Sequence, residues 1–423
     1  ASMLGMCPGF IDSHVHLSET LSRGVFPDNL NTRAWVFHWA KPFYAFITPE
    51  DEYYGALLGT TEMLRAGTTC FLDMGSQYDP GITVKAMRKT GIRGITGRHA
   101  ADNKPKEIPR GWSQEMVEHH FYPNAEIALA DLEKCVKRYN GALDGRVRCW
   151  VNIEGKEPCS LALHVGARAL SEKLGVGTTY HLATSIEEAK ICEDKNNCWP
   201  ISRIDNAGGL GSNLVIAHCA AVKDDEISLM ASKQVKVAFC PSSSFKLAKG
   251  ATSIGKYPQM IEAGVTVGLG TDGVSAAGNL NLMRQMFLVA GMFKDSHLDP
   301  TVFDARRALR AATIEGAKTL QWEDQIGSLE IGKKADFILF DLNHIEWSPY
   351  YDPLQTLVFS ASTSTISETW VDGVPCFMKG KVVGVNENQL RAKARTLAAK
   401  AVIRAGLHEE DVPTESTLYD EGN

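Results

Sequence analysis

The 423-residue chain lacks an excess of either charge. Its 44 Lys and Arg against 50 Asp and Glu leave a formal net charge of −6, and no basic stripe marks a nucleic-acid surface. It lacks any apolar run near the roughly 20 residues of a membrane-spanning helix, and no signal-peptide pattern opens it. It lacks CxxC pairs: ten cysteines are scattered along it, which predicts reduced, mostly buried thiols in a cytoplasmic protein, not a disulfide framework. Cys192 and Cys198 are the one local pairing to weigh. Internal repeats and low-complexity tracts are missing too. What remains, 44% hydrophobic and 22% charged, suits an enzyme for a small molecule, with room for one large core and a small appendage. The opening Ala-Ser-Met reads as an added scar, with the native N-terminus expected to be missing.

Eight short apolar runs end in polar residues, at 9–17, 68–75, 93–102, 146–155, 176–185, 213–222, 235–244 and 266–275. Such β-branched runs bounded by Gly suit parallel strands buried on both faces. Amphipathic stretches lie between them, at 49–67, 124–141, 160–175, 223–234 and 254–264, several with capping residues at the start and Gly at the end. Strand–helix units in this number predict a (β/α)₈ TIM barrel over 7–325. From 326 to 386 the pattern alternates as in a small antiparallel sheet, predicting a β-sandwich-like appendage formed mainly by C-terminal strands. A terminal helix over 388–406 and a polar tail complete a third segment, 387–423.

In such barrels, chemistry gathers at the C-terminal ends of the strands. His14 and His16 end the first run. Residues two apart on a strand share a face, so both imidazoles can converge on one point. His181 ends the fifth run, His218 the sixth and Asp272 the eighth. A single strand histidine is more often a hydrogen-bonded core residue than a ligand. Five candidates at equivalent ends of four strands are a different matter, and this set suits one divalent first-row cation, zinc foremost and iron next.

These motifs identify a resemblance. "GFIDSHVHL", "HLATS", "AHCAAV" and "GLGTDG" resemble the first-, fifth-, sixth- and eighth-strand motifs of the amidohydrolase superfamily. The most similar branch holds cytosine deaminase, S-adenosylhomocysteine deaminase and the triazine chlorohydrolases. "CPSSSFKLAKG" is similar to the segment after the seventh strand, and "GSLEIGKKADFILFDL" to the post-barrel signature. The resemblance spans about residues 7 to 384. It implies that His14, His16, His181 and Asp272 bind one metal ion, that His218 hydrogen-bonds the bound water or the substrate, and that Asp272 also takes the water's proton.

Three departures qualify it. The deaminases carry Glu three residues after the fifth-strand His; here Thr184 stands there and cannot shuttle a proton. Glu187 and Glu188 follow, but at a helix start, where acids favour the dipole. Phe239–Cys240 replaces a polar pair before Pro241, lining either the pocket or the core. Relatives also contribute strands to the small sheet from before the first barrel strand, so a sheet built from C-terminal strands alone would leave an edge for solvent or a partner subunit. For substrate contacts, the sequence offers Trp35, His38 and Trp39 in the segment after the first strand, with Phe43 alongside. Gln77, Arg98, His99, Glu154 and Thr184 stand at strand ends. Asn279 and Asn281 read as helix caps.

The resulting reading is a metal-dependent hydrolase attacking a nitrogen-bearing carbon of a small cyclic compound, with release of ammonia or an amine, and working as a homo-oligomer, a dimer. Hydrolysis of an amide, a carbamate or a carbon–chlorine bond, a lyase or decarboxylase using Arg98, and an inactive binding barrel stay open.

Overall fold

The computed structural model describes residues 3–106 and 112–407. The first strand, β1 (Leu4–Pro8), stands apart from the barrel. The barrel strands are β2 (Phe10–Val15), β3 (Thr68–Asp73), β4 (Arg93–Thr96), β5 (Val147–Cys149), β6 (Val151–Gly155), β7 (Thr178–Leu182), β8 (Leu214–His218), β9 (Lys236–Phe239) and β10 (Thr266–Leu269). All their pairings are parallel. β5 and β6 are one expected strand interrupted at Trp150, whose N–H still donates to Thr96 O at 2.9 Å. Counted as one, they make eight, and the backbone bond from Asp272 N to His14 O at 2.8 Å closes the ring between the last strand and the first.

The strands are apolar on both faces because helices cover the outside, and β2 and β3 are buried at every residue. Helices fill the gaps where capping chemistry is written. Pro49–Arg65 begins with a Thr48–Asp51 capping box and Pro at its first turn. Leu161–Leu174 is capped by Ser160 and stopped by Gly175 at φ 65°. Asn281 caps Leu282–His297, accepting from Met283 N at 2.9 Å, as its sequence context suggested. Among the described residues no helix is long and apolar enough to cross a membrane.

The small sheet is antiparallel, in the order β1, β11 (Phe337–Asp341), β12 (Ile366–Val371), β13 (Val374–Met378) and β14 (Lys381–Val382). Four of its five strands are C-terminal, as expected. The edge thought to be uncovered is not: β1 pairs along the whole of β11. Those five residues were too few to read as a strand from sequence. The terminal helix Glu387–Arg404 packs on the helix Pro49–Arg65, with Arg404 bonded to Phe46 O at 3.0 Å. The polar tail expected beyond it, from 408 onward, lies outside the described residues. All ten cysteines are free, Cys192 and Cys198 included.

Candidate metal centre

Four of the five strand-end residues face one point. His16 Nε2 and His181 Nε2 are 3.1 Å apart. Asp272 Oδ1 lies 3.4 Å from His16 Nε2 and 3.6 Å from His14 Nε2, and Asp272 Oδ2 lies 3.7 Å from His218 Nε2. The His16 and His181 rings are nearly parallel, with His14 edge-on to both. Donor atoms of His14, His16 and His181 all fall within 4.8 Å of one another.

The backbone is bent to achieve this. His218 has φ 79°, Asp272 φ 67° and Ala183 φ 55°. Non-glycine residues in the left-handed region cost free energy and persist where the surroundings enforce them, often at functional sites. Asp12 supplies part of that enforcement. Its buried carboxylate accepts from Thr271 N at 3.0 Å, Thr271 Oγ1 at 2.6 Å and His14 N at 3.2 Å, tying the ends of β2 and β10 together.

Two of the imidazoles are oriented from behind. His16 Nδ1 sits 3.0 Å from Glu19 Oε1, and His181 Nδ1 donates to Glu154 O at 2.5 Å. Both contacts leave Nε2 turned inward with its lone pair, the arrangement that orients metal-binding histidines. Gly270 makes the approach possible, since a Cβ there would lie 2.9 Å from the Cβ, N and O of His14. Gly270→Ala is therefore expected to displace His14 and weaken zinc affinity about tenfold or more, the scale of lost ligand orientation. Competition against a chromophoric chelator measures it.

The charges fit a cation better than they fit each other. Both ring nitrogens of His14 are buried without a hydrogen-bond partner, a state a buried polar group rarely tolerates. Burial holds the His14 imidazole down at about 4. Burial, with His14 and His16 beside it, holds His181 well below the usual histidine range. Burial also lowers His16, but Glu19, Asp272 and Asp73 outweigh it and raise that ring to about 9. For Asp272, burial opposes ionisation, yet Lys249, His14 and His218 prevail and keep the carboxyl well below the usual range. His14 and His181 are thus held as neutral imidazoles and Asp272 as a carboxylate, the forms a divalent ion takes up, whereas His16 must give up a proton when the ion binds. Cys240 forms a second donor group with His14 and Asp272, but burial pushes its thiol far up, so it is a poor ligand.

A cavity open to solvent at its mouth lies over this cluster, lined by His16, His181, His218 and Asp272 on its floor side. Of the residues put forward as substrate contacts, Trp35, Gln77, His99, Glu154 and Thr184 line it. Trp39 does not: with Phe43 it packs under Phe26 in an apolar cluster shared with Leu397 and Ala401 of the terminal helix. The segment is helical from 32 to 45, so its aromatics point to different sides. His38 is half-buried and is not in the cavity wall. Arg98 is also outside it. Its guanidinium donates to Ser76 O at 2.8 Å and His99 O at 3.0 Å and lies over Tyr122, in a neighbouring hollow. Phe239 belongs to the core, stacked on Tyr257 with centroids 3.7 Å apart, and Tyr257 Oη donates to His218 O at 2.8 Å.

Charged cavity residues that escaped sequence reading include Glu19, Lys41 and Lys249. Glu19 orients His16. Buried Lys41 pairs with Glu154, whose other oxygen meets His120 Nε2 at 2.7 Å. Lys249 approaches His218 and Asp272. Glu19 and Lys41 lie outside the quoted motifs, and Lys249, although within CPSSSFKLAKG, sits in a loop where no spacing marks it. Glu188 accepts from Ala183 N at 3.1 Å, Thr184 N at 2.7 Å and Thr184 Oγ1 at 2.6 Å. Those three bonds tie it to the turn after β7 and away from the reacting cluster.

A family model described as "Amidohydrolase family" matches residues 6–383. A 5-methylthioadenosine/S-adenosylhomocysteine deaminase of Syntrophomonas wolfei is 31% identical over 94% of this chain and 87% of its own. A 5'-deoxyadenosine deaminase of Methanosarcina acetivorans is 30% identical over 94% and 87%. A zinc-bound adenosine deaminase from Xanthomonas campestris is similar in structure, with a TM-score of 0.83 at 26% identity over 95% of this chain and 86% of that one.

Proposed function

The chain belongs to the amidohydrolase family and is a metal-dependent hydrolase of C–N bonds, and from that premise we propose that it deaminates an adenosine altered at its 5' position, with one zinc ion held by His14, His16, His181 and Asp272. The observation that carries the proposal is the convergence of those four side chains, two of them Nε2 to Nε2 at 3.1 Å, at a cavity that opens to solvent. The aminopurine nucleosides named for the relatives and the solved neighbour supply the substrate class.

A bound divalent ion would lower the pKa of a coordinated water toward neutrality and so supply the nucleophile. Asp272, ionised and within 3.7 Å of His218, accepts that water's proton and returns it to the departing amine. His218 is held neutral by burial and by Lys249, and it hydrogen-bonds the attacking water or the oxygen that replaces the amine. Trp35, buried in the cavity wall, offers a flat face for the purine. The cavity continues past Arg33 and Glu157 toward the mouth, where a ribose and its 5' substituent find room. We place the protein in the cytoplasm, where ten free thiols keep their reduced form, and as a homodimer, which light scattering on the purified chain tests.

The experiment is ammonia release from 5'-methylthioadenosine, S-adenosylhomocysteine and 5'-deoxyadenosine, with metal content measured alongside. The expected result is turnover with about one zinc per chain, abolished by chelation and restored by zinc. A zinc-loaded protein that releases no ammonia from any of the three overturns the substrate assignment.

A further inference from the structure

We propose that Lys249 is a catalytic residue: its ammonium hydrogen-bonds the ring nitrogen next to the aminated carbon, where the electron pair goes when water attacks. The inference rests on the deaminase reading above. Three observations carry it. First, Lys249 is buried, lines the cavity and puts Nζ at the reacting edge of the cluster, 3.2 Å from His218 Nε2 and 3.6 Å from Asp272 Oδ2. Second, its donors are not all used. Nζ meets the His218 ring, 3.2 Å from Nε2 and 3.4 Å from Nδ1, and pairs with Asp272 Oδ2 at 3.6 Å. An ammonium has three donors, which leaves one for a ligand in the cavity that Lys249 lines.

Third, four groups beside the cluster are uncharged or already engaged. Thr184 cannot carry a charge. Glu188 is bonded to the turn after β7, Glu19 to His16, and Glu154 to Lys41 and His120. Lys249 is the cation that faces both His218 and Asp272. The segment Pro241–Lys246 and the bond from Lys249 N to Ser244 O at 2.9 Å fix the backbone that delivers it.

The step balances without loss of the lysine proton. Water's oxygen bonds to the ring carbon, its proton passes to Asp272, and the C=N electron pair moves onto the ring nitrogen beside Lys249 Nζ. The pair then returns, the carbon–amine bond breaks, and the amine leaves as ammonia with the Asp272 proton. The new hydroxyl's proton shifts to the ring nitrogen, giving the oxo product. A preorganised donor aimed at developing charge is worth about 10²–10³ in kcat when removed.

The test compares wild type, Lys249→Met and Lys249→Arg for zinc content, melting temperature, kcat and KM on 5'-methylthioadenosine, and calorimetric binding of adenosine against 1-deazaadenosine, which lacks the ring-nitrogen acceptor. Lys249→Met is expected to keep its zinc and its melting temperature and lose roughly 10²-fold in kcat. It should also bind the two nucleosides equally where wild type prefers adenosine. Lys249→Arg should recover part of the rate. Loss of zinc in Lys249→Met, or a kcat within threefold of wild type, overturns the assignment while leaving the deaminase reading intact. A zinc-loaded wild type that releases no ammonia overturns both.

Discussion

Asp272→Asn is expected to keep its fold and to lose about 10³-fold in kcat, within the range set by removing a positioned general base. The substitution is chosen because the backbone tolerates it. Asp272 sits at φ 67°, and Asn is the other common residue able to adopt that conformation at low cost. An amide oxygen can still accept the Gly273 N–H that now meets Oδ1 at 2.8 Å. What the amide cannot do is accept a proton or offset positive charge. His14 and His16 would lose the oxygen 3.6 and 3.4 Å away as an anion, and Lys249 would lose the carboxylate nearest to it. Zinc affinity should therefore fall as well. Rates measured at saturating zinc, beside metal content and melting temperature, separate the two effects. A rate within tenfold of wild type at full zinc occupancy would remove Asp272 from the proton transfers.

Much of this site is legible in the sequence because a barrel converts order along the chain into position in space. Once eight alternating units are recognised, the last residue of each strand must lie on one rim. His14, His16, His181, His218 and Asp272 need only that rule to be brought together. The same rule placed Gln77, His99, Glu154 and Thr184 correctly in the cavity wall. It failed for Arg98, one residue from His99, because adjacent residues on extended chain face opposite ways. It failed for Trp39 and His38 because residues 32–45 are helical, and a helix distributes its side chains around an axis. Lys41 and Lys249 are invisible for a related reason: both reach the cavity from helix or loop by long side chains, and their partners, Glu154 and Asp272, are more than twenty residues away in sequence. The strand β1 was missed since it gains its identity only by pairing with β11, a contact with no local signature.

Asp336→Ala should produce the largest loss of stability, about 3–5 kcal/mol, by stripping a buried cation of its partner. Arg93 opens β4, at the end of the barrel away from the metal centre, and its side chain is 1% exposed. Its Nε donates to Asp336 Oδ2 at 2.7 Å and Nη2 to Asp336 Oδ1 at 3.1 Å, and its guanidinium lies over Trp322. Burial alone would lower the Arg93 pKa; Asp336 outweighs it and raises it. The aspartate does more than pair. It accepts from Asp372 N at 2.7 Å, at the turn between β12 and β13, and its own carbonyl accepts from Gly9 N at 3.0 Å, between β1 and β2. One carboxylate thus locks the small sheet to the barrel floor. Asp372 Oδ1, 3.9 Å from Arg93 Nη2, is too distant and too exposed to take over. Thermal melting should show a drop on the order of 10 °C, with zinc content and turnover per folded molecule unchanged, because the pair is remote from the cavity. The double variant Arg93→Met, Asp336→Leu should recover much of the loss, since an apolar pair of similar volume leaves no stranded charge. Recovery would assign the cost to desolvated Arg93; failure to recover would assign it to the lost backbone contacts at Asp372, and either result locates what holds the two sheets together.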